Sequence, residues 1–206
     1  MKSDLSSMQN ETIKTIYKRH SARAFTKAPL TELQINTLLQ AANEAPSAHN
    51  KQSWRFVILR GEKSLELSHL VSQKAESLPR PASVLLRMAA RSIASAPAVI
   101  AVLNTGELIE HGTELFKVEK NMARDFFRVM EIQSSAAAVQ NMLLAATSLG
   151  LGTVWLGILY LIKDDISEFL GEPSGEFMAV IPVGHPVRET GGPQKDPIHM
   201  KVKYLG

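Results

Sequence analysis

The chain has 206 residues, 45% hydrophobic and 21% charged, which excludes disordered, collagen-like and low-complexity classes and leaves room for one sizeable core. Its 23 basic and 20 acidic residues give a net charge of +3, with no Lys/Arg cluster dense enough for a duplex-binding face. Cysteine is absent, which excludes disulfides, Cys-ligated metals and thiol catalysis, and suits a reducing compartment.

The first residues, Met1-Lys2-Ser3-Asp4-Leu5-Ser6-Ser7-Met8-Gln9-Asn10, lack the apolar run of a secretory signal, and the cytoplasm is the expected location. A helix is expected from Asn10 to Arg19. The alternation Arg19-His20-Ser21-Ala22-Arg23-Ala24-Phe25 then reads as extended chain, with Arg19, Ser21 and Arg23 on one face. Thr31 with Gln34 three residues on is a capping-box signature, and Leu38, Leu39, Ala41, Ala42 and Ala45 give that helix its apolar face up to Pro46. Pro46 to Ser53 is a polar loop, and Trp54 to Arg60 has the composition of a strand that Gly61 closes. Helices follow from Glu62 to about Leu78 and again before a short apolar strand at Pro97 to Leu103.

Glu107 to Arg128 is charged and carries Phe116, Phe126 and Phe127. Ile132, Ala136, Val139 and Leu143 then recur at helical spacing in a long central helix that Gly150 stops. The uncharged run from Ile132 to Ile162 is long enough to cross a bilayer, but Gln133, Ser134, Ser135, Gln140 and Asn141 stud its first half and Gly150, Gly152 and Gly157 break its second. A buried helix, a turn and a buried strand are expected instead. Further strands are expected at Thr153 to Leu159 and Phe177 to Val183, around a small helix from Lys163 to Leu170. The Pro/Gly-rich tail from Val187 ends in the alternating run Met200 to Leu205, suited to pairing with a partner's sheet edge. Helices and strands mix without regular βαβ alternation, so the expected class is α+β or a mixed sheet.

Gly150-Leu151-Gly152 lacks the third glycine of a dinucleotide fingerprint and follows a helix where that fingerprint follows a strand. Walker, G-x-S-x-G and H-E-x-x-H motifs are absent, and the six histidines are too scattered to suggest a metal. Arg19, Ser21 and Arg23 together offer two guanidinium forks and a hydroxyl, the donor set of a phosphate site, although taken alone they read more readily as a solvated basic turn. Pro46-Ser47-Ala48-His49-Asn50-Lys51-Gln52 offers hydroxyl and amide groups suited to a heteroaromatic edge, or to a capped connector.

Arg19-His20-Ser21-x-Arg23-x-Phe25, followed by Ala45-Pro46-Ser47-x-x-Asn50-x-Gln52-x-Trp54-Arg55-Phe56, resembles the FMN-dependent nitroreductase family. Gln140 to Ala146, Leu149 to Gly157 and Pro182-Val183-Gly184-His185-Pro186 continue the likeness. Ser53 stands where many members carry Pro, and Lys195 where Arg is common. The resemblance implies a nitroreductase-like three-layer α/β/α fold, with a mixed, mainly antiparallel sheet. Residues 1–206 would form one domain, and 187–206 an arm exchanged in a homodimer. It further implies two FMN sites, each built from both chains. Arg19, His20, Ser21 and Arg23 would hold the phosphate and ribityl chain, joined by Lys195. Pro46, Ser47, Asn50 and Gln52 would contact the flavin, and Leu156 and Gly157 would pass near its ring. Hydride would move from NADH or NADPH through flavin N5 to a small electron-poor acceptor by ping-pong turnover, with no catalytic side chain, metal, nucleic acid or membrane partner. The three phenylalanines would shape the acceptor pocket or serve as core. An oxygen-dependent flavin-fragmenting or dehalogenating branch, and a flavin-binding protein without turnover, are the alternatives.

Overall fold

The computed structural model describes residues 10–116, 119–172, 174–188 and 191–205, so the expectation for the first nine residues lies outside them. Asn10 opens α1 (Glu11–Lys18) by accepting the Ile13 N–H at 3.0 Å. The segment after it is extended, as its alternation implies: Ser21 bridges Thr153 in parallel and Phe25 bridges Pro186. The capping box forms at α2 (Glu32–Asn43), where Gln34 N–H donates to the Thr31 hydroxyl at 3.1 Å and Thr31 N–H donates to Gln34 Oε1 at 2.9 Å.

Four strands, β1 (Trp54–Arg60), β2 (Ala98–Asn104), β3 (Gly152–Thr153) and β4 (Glu176–Gly184), pair antiparallel in the order β1-β2-β4-β3. The parallel Ser21–Thr153 bridge at the β3 edge makes the sheet mixed, as expected. α3 (Glu62–Glu76) and α4 (Ala82–Ser95) cover one face, packing Leu67, Val71, Leu86 and Ile93 against Val99, Ala101 and Val180. α2 and α6 (Lys120–Ser148) cover the other with Ile35, Leu38, Val139 and Met142 against Ile100, Val102 and Ile181. Covered on both faces, β2 is apolar and buried throughout until Asn104. The result is the three-layer α/β/α arrangement.

The structure corrects three expectations. α6 begins at Lys120, about three turns before Ile132, because Glu119 caps it by accepting the Asn121 and Met122 N–H groups at 2.9 Å. It ends as expected: Gly150, at φ +71°, donates to Thr147 O at 3.1 Å and Leu151 donates to Ala146 O at 2.8 Å, a Schellman closure. The strand expected from Thr153 to Leu159 pairs only at Gly152–Thr153. Val154 and Leu156 still donate to Pro182 O and Val180 O, but the chain then turns off the edge into a 3-10 helix, Gly157–Ile162, followed by α7 (Lys163–Phe169). Finally, only the first two residues of the Met200–Leu205 run, Met200 and Lys201, depart from it, in a 3-10 turn, Ile198–Lys201, begun at Pro197 and tied by the 2.8 Å Lys201–Asp196 ion pair; Val202 is extended. The uncharged run from Ile132 to Ile162 is thus divided among three elements, and none of the described helices is long and apolar enough to cross a membrane.

Candidate functional site

The expected phosphate-binding residues lie along the β3 edge. Ala22 N–H donates to Thr153 O at 2.9 Å, and Gly152 is what permits this approach, since a Cβ there would stand 2.6 Å from that of Ala22. Arg55, Arg60 and Arg128 are paired with Glu172, Glu32 and Glu176. Among the described residues no carboxylate pairs with Arg19 or Arg23, so their charge is available to an anion. His20 Nδ1 lies 3.1 Å from Lys18 O, which fixes the ring if that nitrogen carries the proton. His20 also lines a cleft of about 360 Å³ with Tyr17, Thr147, Gly150 and Gly192. The tail enters this corner at Gly191 and Gly192, and Lys195, three residues further on, is exposed.

The loop before β1 is built differently. His49, Asn50 and Gln52 all adopt left-handed backbone, with φ of 53°, 52° and 50°, a cost that surrounding bonds must hold in place. Gln52 N–H donates to Ser47 Oγ at 3.0 Å, and Gln52 Nε2 donates to Asn50 Oδ1 at 3.0 Å. Ala48 N–H donates to Ser134 Oγ of α6 at 3.1 Å. Ala48 also packs on a small core of Leu108, Ala123 and Phe127, where α5 (Glu107–Leu115) crosses α6. Gly112 allows that crossing: a Cβ would meet the Phe127 ring at 2.3 Å. Phe127 is fully buried, while Phe116 and Phe126 are half exposed and stand edge-on to it with centroids 5.0 and 5.1 Å away. Phe127 is therefore core, and the other two offer an aromatic wall.

Beneath this loop lies a polar layer that the sequence reading missed. Glu131, Ser134 and Ser135 are buried on one side of α6, with Glu131 accepting the Leu108 N–H at 2.9 Å and Ser135 donating to Asn104 Oδ1. Burial raises the Glu131 carboxyl above the usual carboxylate range, opposed by the Leu108 N–H bond and the nearby Ser53 and Gly106 groups and reinforced by the like charge of Glu176, while Oε2 has no hydrogen-bond partner among the described residues. Its signal was a glutamate followed by two serines at helical spacing, hidden because the helix was expected to start after it.

The two donor sets are far apart in one chain. The loop precedes Trp54, whose register runs through Asn104 to Glu176, whereas β3 pairs at Val183 and Gly184, the other end of β4 and the opposite edge of the sheet. Strand spacings make this diagonal on the order of 25 Å, further than one FMN molecule spans. Along α6, Ser134 beside the loop and Thr147 beside His20 are roughly 20 Å apart by helical rise. Leu156 and Gly157 lie between these corners; the Leu156 N–H is spent on Val180 O at 3.0 Å, while exposed Gly157 opens the 3-10 helix with its N–H free of any intrahelical acceptor. Guanidinium groups without a carboxylate partner among the described residues, and a polar, rigid loop, are the donor chemistry suited to an FMN phosphate and a flavin edge.

A protein of Archaeoglobus fulgidus provisionally named NADH dehydrogenase/NAD(P)H nitroreductase is 28% identical over 183 residues, covering 87% of each chain. The FMN reductase (NADPH) of Bacillus subtilis is 29% identical over 88% of this chain and 68% of its own. Among solved structures, the NADPH:FMN oxidoreductase of Vibrio harveyi complexed with NAD+ matches with a TM-score of 0.74 at 25% identity, over 96% of this chain and 78% of that one. The family model described as the nitroreductase family matches residues 16–185, a span that includes both corners and the segment between them, and the chain belongs to that family.

Proposed function

We propose that the protein is an FMN-dependent oxidoreductase that uses NADH or NADPH to reduce a small electron-poor acceptor, such as a nitroaromatic or a quinone, in ping-pong fashion. Its relatives named FMN reductase and NADPH:FMN oxidoreductase support the reaction class. The observation that carries the site is the separation of two flavin-suited donor sets by more than one FMN length, which favours a homodimer with composite sites. Residues 1–206 act as one domain in the cytoplasm, with 187–206 as the arm that reaches the partner; exposed Ile198, Met200, Tyr204 and Leu205 suit that contact.

Bound at the interface, FMN would supply hydride-transfer chemistry between a nicotinamide donor and the acceptor. Arg19 and Arg23 grip its phosphate, with His20, Ser21 and Lys195 completing that end. From the other copy, Pro46, Ser47, Asn50 and Gln52 hold the polar edge of the ring. Gly157 offers the free N–H toward flavin N5, while Leu156 anchors that segment to β4. α5 and the first turns of α6, with Phe116 and Phe126, border the acceptor side. No side chain is assigned a proton-transfer role.

The test is an anaerobic absorbance titration of FMN-reconstituted protein with NADH and NADPH, followed by a quinone or nitroaromatic. Bleaching of bound flavin and its return on acceptor addition are expected. Bound flavin that neither nicotinamide bleaches would defeat the reaction, and failure to bind FMN would defeat the site. A monomer in sedimentation equilibrium at micromolar concentration would defeat the composite arrangement.

A further inference from the structure

A buried carboxylate without a cation is expensive, and among the described residues the charge acting on Glu131, which is 1% exposed, is the like charge of Glu176. Its neighbours explain what it holds. With Ser134 and Ser135 it forms an i, i+3, i+4 ridge on α6 that touches three separate elements. Glu131 takes the Leu108 N–H in the first turn of α5 on Oε1, its Oε2 has no hydrogen-bond partner among the described residues, and the Ser53 hydroxyl and Gly106 N–H are near enough to act on the carboxyl. Ser134 Oγ accepts the Ala48 N–H and donates its own O–H to Met130 O at 2.7 Å. Ser135 donates to Asn104, the last residue of β2, and Thr105 N–H next to it donates to Ser53 O at 3.1 Å. Loop, strand end and helix start therefore meet at one helix face.

We propose that Glu131 is a positioning residue for the flavin reaction, its carboxylate fixing the start of α5, and through the Thr105–Ser53 backbone bond beside it the Ser53 end of the flavin-contacting loop, to the same ridge of α6. The loop and the acceptor-side helix then keep a common spacing, so that one group governs both flavin placement and acceptor fit. The catalytic consequence rests on the flavin reading above; the mechanical link does not.

The experiment compares Glu131→Ala and Glu131→Gln with wild type by amide hydrogen exchange, FMN affinity, the visible circular dichroism of bound flavin and steady-state kinetics. Alanine is expected to raise exchange roughly tenfold, the size of one lost buried hydrogen bond, in both the 104–111 and the 47–53 segments. It should also raise the FMN Kd and acceptor KM more than it lowers the rate of bleaching by NADPH. Glutamine, which still accepts the Leu108 N–H, is expected to restore all of these. Faster exchange confined to α5, an unchanged flavin spectrum and KM in folded alanine protein, or no rescue by glutamine would each overturn the proposal. If the alanine variant does not fold, Glu131→Asp shortens the same arm, and wild-type exchange in 47–53 would overturn it. If wild type binds no FMN, the proposed function fails, while the exchange of the two segments still decides the link.

Discussion

Around the Ser134 end of α6, backbone and side-chain polar groups are bonded to one another: Ser47 to Gln52, Asn50 to Gln52, Ala48 to Ser134, Leu108 to Glu131. Around the Thr147 end the chain is anchored through backbone contacts, Ala22 to Thr153 and Gly152 against Ala22, while Arg23 remains exposed and unpaired among the described residues. The difference follows from what each end is to hold. A ring must be placed within fractions of an ångström, which needs locked groups, whereas a phosphate dianion can be gripped by long side chains that close on it. Changes at the loop end should therefore disturb the fold first, and changes at the arginine end should disturb binding alone.

The largest effect expected is from Phe127→Ala, which empties the small core under the loop and should cost about 3–5 kcal/mol in urea unfolding of the apo-protein. A loss below that of an ordinary surface substitution would mean the loop end is not locked by packing. Next, Arg23→Ala should weaken FMN binding by about 1.5–3 kcal/mol, roughly 10- to 150-fold, with no change in apo-protein Tm. Unchanged flavin content after extensive dialysis would remove Arg23 from the site. Gly112→Ala forces a methyl into the Phe127 ring and should cost about 1–3 kcal/mol, read as a lower Tm with the arginine corner's anion affinity intact.

The smallest effect is a pH slope. The Glu131 pKa is raised in the folded protein, so its contribution to stability is full below the unfolded-state value and is lost as pH rises through the folded-state value. Relative to Glu131→Gln, wild-type stability should fall as pH climbs above the ordinary carboxylate value and through the raised folded-state value, then level off. A slope of opposite sign in denaturant titrations would show that the amides of α5 stabilise the ionised form more than burial opposes it.

What the sequence disclosed depended on how local the cause was. The capping box at Thr31, the Gly150 stop and the apolar strands at β1 and β2 rest on residues a few positions apart, and all form as expected. The segment after Thr153 has the same apolar composition whether it continues as strand or turns into 3-10 helix; the limits of its pairing with β4 decide, and that is a long-range fact. The first turns of α6 were hidden because Glu119 caps it instead of the usual Ser, Thr, Asp or Asn, so the polar ridge on that part of the helix was hidden as well. For the site, the Arg19–Arg23 and Pro46–Gln52 motifs were legible as chemistry, but their placement at opposite corners follows from strand order alone.

α6 is one unbroken helix of 29 residues, and its two ends serve two different corners. A residue inserted between Glu131 and Thr147 would turn everything beyond it by about 100° and lengthen the beam by about 1.5 Å, taking either the polar ridge or the His20 cleft off its partners. Substitutions leave that phase untouched. The central helix should consequently accept many changes of letter and almost no change of length, whereas differences in length between relatives should accumulate in the tail after Pro186.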